Sequence, residues 1–82
     1  MKVNFKKITY EEVDIDFQKI FDFIVSENKY QNTIDIAHHF ANNSIYCLLK
    51  THDLDEFSLH NDENNVAIED ITDEFYDWVE NK

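Results

Sequence analysis

The chain contains no glycine, no proline and no arginine. Without glycine there is no phosphate-cradling Gly-rich loop, and turns that need a positive φ fall to other residues, of which asparagine tolerates left-handed backbone best. Asn28, Asn32, Asn42, Asn43, Asn61, Asn64 and Asn65 all stand at expected breaks between elements. Without arginine the chain lacks the side chain that most often reads guanine and grips phosphate in bidentate fashion. Cys47 is the one cysteine, so no intrachain disulfide can form and a reducing, cytoplasmic setting is expected. No apolar run approaches the roughly 18 residues of a membrane span, and the residues from Met1 to Lys7 lack the apolar stretch of a signal peptide, so no membrane partner is expected.

What is present is a dense apolar complement and a strong negative charge. Hydrophobic residues make up 43% of the 82 positions and aromatics 15%, enough large side chains for one core and too short a chain for two. The expectation is a single compact domain over 1–82. Eighteen acidic residues against seven lysines give a formal net charge of -11. The charge is uneven: residues 1–50 hold six lysines and seven acids, whereas residues 51–82 hold Lys82 alone against 11 acids. A chain with one intensely negative end repels nucleic acid and is drawn to basic protein surfaces.

Periodicity gives a coarse α+β outline. Val3 and Phe5 alternate with Lys2, Asn4 and Lys6, which predicts a strand over Lys2 to Ile8. Thr9 and Glu12 have the spacing of a capping box, and Val13, Phe17, Ile20, Phe21 and Ile24 follow on one helical face, predicting a helix from Glu11 to Glu27. Beyond a polar break at 28–32, Thr33 is expected to cap a second helix carrying Ile36, Ala37 and Phe40, and Ser44 a third carrying Ile45, Leu48 and Leu49. Phe57 and Leu59, then the polar pentad 61–65, then Val66, Ala67 and Ile68 read as a hairpin. Ile71, Phe75, Trp78 and Val79 predict a C-terminal amphipathic helix. The expected architecture is three helices with a small antiparallel sheet plus that last helix. Phe17, Phe21, Ile24, Phe40, Leu48, Phe75 and Trp78 are the expected core.

The run from Thr33 to Phe40, followed by Asn42, Asn43, Ser44 and Ile45 and then Leu48, Leu49 and Lys50, resembles a helix-turn-helix, and with the hairpin it resembles a winged helix. The family's recognition helix would then be Ser44 to His52, presenting Tyr46, Lys50 and His52. That resemblance implies the alternative function, a DNA-binding transcription regulator. The surface argues otherwise: Lys50 is the one permanent cation there, beside Asp53, Asp55 and Glu56, and direct DNA binding is not expected.

Catalytic and metal constellations do not assemble. His38, His39, Cys47 and His52 match no common zinc spacing, and adjacent histidines on a helix point about 100° apart. Cys47 sits in an apolar helix without an oxyanion donor nearby. The stretch from Asp53 opens like a calcium loop but has Ser58 at the sixth position and Asn64 at the twelfth, where glycine and glutamate are needed. No enzyme activity, cofactor or metal site is expected.

The last helix is the exception to blandness. Asp70, Asp73, Glu74, Asp77 and Glu80 lie opposite its apolar stripe without an intervening cation, and Asp73 to Asp77 spans about 6 Å along the axis. In size, charge and compactness the chain resembles the small acidic proteins of phages and mobile elements, including DNA mimics and anti-CRISPR proteins. The resemblance implies an inhibitor that covers the nucleic-acid-binding surface of a host enzyme. Its partner-binding residues would be Asp62, Glu63, Asp70, Asp73, Glu74, Asp77 and Glu80, with Tyr76 as an aromatic anchor.

Overall fold

The fold is taken from a computed structural model, which describes residues 1–7, 9–30 and 32–82, apart from the side chain of Phe57. The expected strand end at Ile8 and the Gln31 part of the expected break lie outside the described residues.

Strand β1 spans Lys2–Lys6, with Val3 and Phe5 buried as the alternation requires. Its partner is not in the second half of the chain. Strand β2, Tyr10–Asp14, pairs with it antiparallel, Val3 opposite Val13 and Phe5 opposite Glu11. The helix expected from Glu11 therefore begins later, as α1 at Phe17–Glu27. The capping box at Thr9 loses for an identifiable reason. A lone β1 would leave a row of backbone groups unpaired, and pairing with the following segment satisfies them through a short connection. Cross-strand and local ion pairs, Lys2 with Glu12 at 3.7 Å and Lys7 with Glu11 at 3.0 Å, support the hairpin. The helix is then started by Asp16, whose carboxylate accepts from the Lys19 N–H.

Helix α2 covers Thr33–Asn42, but its cap is Asn32, whose side chain accepts from the Ile34 N–H; Thr33 is the first helical residue. Helix α3, Ser44–His52, follows after Asn43 alone, and no side-chain hydrogen bond caps it, so Ser44 is not the cap either. Asn43 instead closes α2, its backbone N–H donating to the Phe40 carbonyl and its carboxamide to that of His39. Among the described residues of this glycine-free chain the left-handed position is Asp53, φ 52, which ends α3. The asparagines expected to take that role cap helices through their side chains and backbone with negative φ.

The hairpin expected at residues 57–68 is helical. Glu56–Leu59 forms the short helix α4, Asp62–Asn64 a 3-10 turn, and Asn65–Glu80 the 16-residue helix α5. Ile68 is the first member of a buried stripe continued by Ile71, Phe75 and Val79, so the helical period reaches back through the segment read as a strand. Val66, expected inside a strand, is 66% exposed. Among the described residues the chain is thus α+β with one two-stranded sheet, but the sheet is N-terminal and no wing follows α3.

One core gathers Val3, Phe5 and Ile15 from the hairpin with Ile20, Ile24, Ile36, Ala37, Phe40, Cys47, Leu48, Leu59 and the α5 stripe. Phe40 and Phe75 meet edge to face with centroids 5.0 Å apart where α2 crosses α5. Of the expected core, Ile24, Phe40, Leu48 and Phe75 are fully enclosed, whereas Phe17, Phe21 and Trp78 are half-buried. Trp78 joins them along the α1–α5 seam, packing on Phe21 at 5.7 Å, on Phe17 at 6.2 Å and on Phe75 at 6.0 Å, while Phe17 also meets Phe75 at 5.8 Å.

Candidate protein-binding surface

Helix α5 is anchored by its buried stripe, so its opposite face is fixed toward solvent. That face carries Glu69, Asp70, Asp73, Glu74, Asp77 and Glu80, all exposed. Among the described residues, the lysines that make ion pairs do so elsewhere: Lys2 and Lys7 within the hairpin, and Lys6 with Glu63 at 2.9 Å. The five carboxylates from Asp70 to Glu80 have no ion-pair partner among the described residues. They are spread over ten residues of rise, about 15 Å, a mean axial step of roughly 4 Å; one strand of B-DNA carries a phosphate charge per about 3.4 Å.

The remaining expected contact residues divide. Asp62 is exposed in the 3-10 turn that leads into α5. Glu63 is beside it but partly neutralised by Lys6, whose ammonium is held above its usual range first by the hydrogen bond to Glu63 and then by that carboxylate's charge. Tyr76 sits on the flank of the acidic face. It is half-buried, and its hydroxyl is 2.7 Å from His38 Nδ1 with the rings edge to face at 5.5 Å, so it bridges α5 to α2.

Sequence reasoning placed Trp78 in the core and missed that its half-exposed ring forms part of a surface. A groove of about 410 Å³ runs along the α1–α5 seam, lined by Phe17, Glu74, Asp77, Trp78, Asn81 and Lys82. The Lys82 ammonium lies 4.5 Å from the Trp78 ring centre and 4.7 Å from that of Phe21, and donates to Gln18 Oε1 at 3.0 Å. The i, i+4 spacing of Trp78 and Lys82 was the available signal.

His38, His39, His52 and Cys47 are individually accounted for. His38 engages Tyr76, and His39 Nδ1 lies 2.8 Å from the Tyr30 hydroxyl, so the neighbouring rings diverge onto different tyrosines. His52 does not present outward on α3. Its Nε2 accepts from the Asp16 N–H at 2.9 Å, and its Nδ1 is 2.6 Å from Thr51 Oγ1, which itself donates to the Cys47 carbonyl. Thr51 has spent its proton, so Nδ1 is the donor and the ring is neutral. Burial, and then the charge of Lys19, hold the His52 pKa below its ordinary value, against the smaller opposing pull of Asp16 and Asp14. Cys47 is buried in the core and its thiol is pushed up to about 11, chiefly by desolvation, which leaves little nucleophilic thiolate at neutral pH. Among the described residues, no three His, Cys, Asp or Glu side chains converge to hold a metal ion, and no helix is long and apolar enough to cross a membrane.

No protein-family model matches the chain, and no curated protein or solved structure matches it.

Proposed function

We propose that this protein is a binding inhibitor of the DNA-mimic type, which lays the acidic face of α5 against the basic, nucleic-acid-binding surface of another protein. The observation that carries this reading is the unpaired row of carboxylates on α5 at near-phosphate axial density. An ordinary solvated helix face intersperses Glu and Lys and gains a few tenths of a kcal/mol per pair. Here no lysine is interspersed among the acids from Asp70 to Glu80, and the helix accepts the repulsion. Asp62 extends the row beyond the helix start, and Asp70, Asp73, Glu74, Asp77 and Glu80 form its body. A basic groove that evolved for a phosphate backbone would meet a matching ladder of negative charge on a rigid element.

The duplex-reading alternative would work through α3. With His52 turned inward to Asp16, that surface offers Lys50 as its permanent cation, with Tyr46 exposed beside it and the ammonium 5.8 Å from the Tyr46 ring. One cation neutralises too few phosphates for ordinary duplex affinity. The discriminating experiment immobilises the protein, captures partners from a lysate at low salt, and elutes with duplex DNA. Elution of DNA- or RNA-binding proteins by the duplex supports mimicry. Retention of duplex DNA itself, lost on Lys50→Glu, supports the alternative.

A further inference from the structure

We infer that the groove between Phe17 and Trp78 is an arginine subsite, in which a guanidinium from a basic peptide segment of the partner stacks on Trp78 and is held by Glu74 and Asp77. This deepens, and rests on, the reading of α5 as a binding face. The groove is not one more part of the acidic row: Phe17 and Trp78 give it apolar walls, with two carboxylates at i, i+3 along one rim. The chain already shows that a cation is at home there, because the Lys82 ammonium occupies the faces of Trp78 and Phe21. Yet Lys82 donates its hydrogen bond to neutral Gln18 and reaches neither carboxylate within ion-pairing distance, so Glu74 and Asp77 remain without an ion-pair partner among the described residues. A compact ammonium satisfies one or the other. A planar, forked guanidinium can lie on the aromatic surface and still direct N–H donors to the carboxylates at its edge. Lys82 is then an internal competitor, displaced when the partner's arginine enters.

Trp78 is the one tryptophan of the chain, so its emission reports on the groove directly. The probe is the peptide acetyl-Gly-Arg-Gly-Arg-Gly-amide, titrated into the full chain alongside its lysine and citrulline counterparts. The expected result is a saturable change in Trp78 emission with the arginine peptide, weaker with lysine and lost with citrulline. Glu74→Gln/Asp77→Asn should weaken it by about tenfold, and Lys82→Met should tighten it by about threefold, the scale of an exposed cation–π contact. Glu27→Gln/Asp35→Asn removes the same charge far from the groove and should leave binding within about twofold, which separates a site from diffuse attraction. The assignment is overturned if the arginine peptide leaves Trp78 emission unchanged, if lysine or citrulline serves as well, or if the two double variants weaken binding equally. A change in emission with protein concentration alone would give the groove to a second copy of the chain and overturn it too. Failure of the peptide to bind, with capture of partner still dependent on Asp70, Asp73 and Glu80, would remove the subsite and leave the acidic-face reading standing.

Discussion

The carboxamide of Asn64 pairs with the backbone of Lys6 as a neighbouring strand would, its Oδ1 accepting from the Lys6 N–H at 2.7 Å and its Nδ2 donating to the Lys6 carbonyl at 3.0 Å. Nδ2 also donates to the Ser58 carbonyl. Asn64 is 1% exposed, and among the described residues no buried side-chain polar atom is left without a partner. One side chain thus joins β1, α4 and the start of α5, and sets where the acidic helix leaves the core.

Replacing Asn64 with Ala removes a donor and an acceptor from an enclosed site and strands backbone groups of Lys6 and Ser58. A loss of about 2–3 kcal/mol in urea unfolding is expected. Asn64→Asp should also destabilise, since a carboxylate there faces two carbonyl oxygens that need a donor. A loss below 0.5 kcal/mol for the Ala variant would show that the carboxamide is not what closes this edge.

His52 makes stability depend on pH. Its folded pKa is depressed, so the native state holds fewer protons than the unfolded chain in the window around and below the ordinary histidine value of about 6.5. The His52 contribution is therefore complete above that value and is lost as pH falls through the depressed folded pKa. Protonation would place a hydrogen on Nε2 against the Asp16 N–H that it now accepts from. The urea midpoint should fall between pH 7.5 and pH 5, and His52→Gln should flatten that fall. An identical pH dependence in wild type and variant would rule out this origin.

Two phenylalanines on the expected core stripe should separate in cost. Phe40 is fully buried against Phe75, so Phe40→Ala is expected to lose about 3–5 kcal/mol. Phe21 is half-buried, with the Lys82 ammonium over its ring, so the surrounding side chains can close over the deletion and water can reach the rest. Phe21→Ala should lose clearly less, about 1–3 kcal/mol. Equal losses would mean that the α1–α5 seam is as enclosed as the α2–α5 crossing.

Helix α5 is legible in the sequence because its periodicity is strong. Ile71, Phe75 and Val79 fixed the inner face of α5, and Asp70, Asp73, Glu74, Asp77 and Glu80 followed to the outside. The sheet was misplaced because β-branched and apolar residues at short range fit either period. Val13 belongs equally to the helical series ending at Ile24 and to the strand opposite Val3, and only the need of β1 for a partner decides between them. Val66 to Ile68 reads as a strand until Ile68 is counted with Ile71. Asn64, expected in the loop of that hairpin, was hidden for another reason: its partner lies 58 residues away, and no local pattern announces such a contact. His52 looked outward on its own helix, and its turn toward Asp16 depends on how α3 packs against α1, which spacing within α3 does not encode.

The acidic face itself is tested by charge reversal. Asp73→Lys, Asp77→Lys and Glu80→Lys together should abolish capture of the partner and leave folding intact, because the three positions are exposed and have no ion-pair partner among the described residues, and such substitutions usually change stability by about 0.5 kcal/mol or less. Relief of repulsion along α5 gives a reason for the variant to be slightly more stable. Binding by the natural chain should also weaken and associate more slowly as salt rises, since attraction between exposed charges is screened beyond about 8 Å at physiological ionic strength. The salt dependence matters as much as the mutation. A surface used only for solubility would lose no partner on reversal, and a partner held mainly by apolar contacts would be captured equally at 50 mM and 500 mM salt. Lys50→Glu provides the opposing control, leaving capture unchanged if α5 is the binding face. Specific duplex binding that requires Lys50 and survives reversal of the three acids would falsify the inhibitor reading and establish the DNA-binding one.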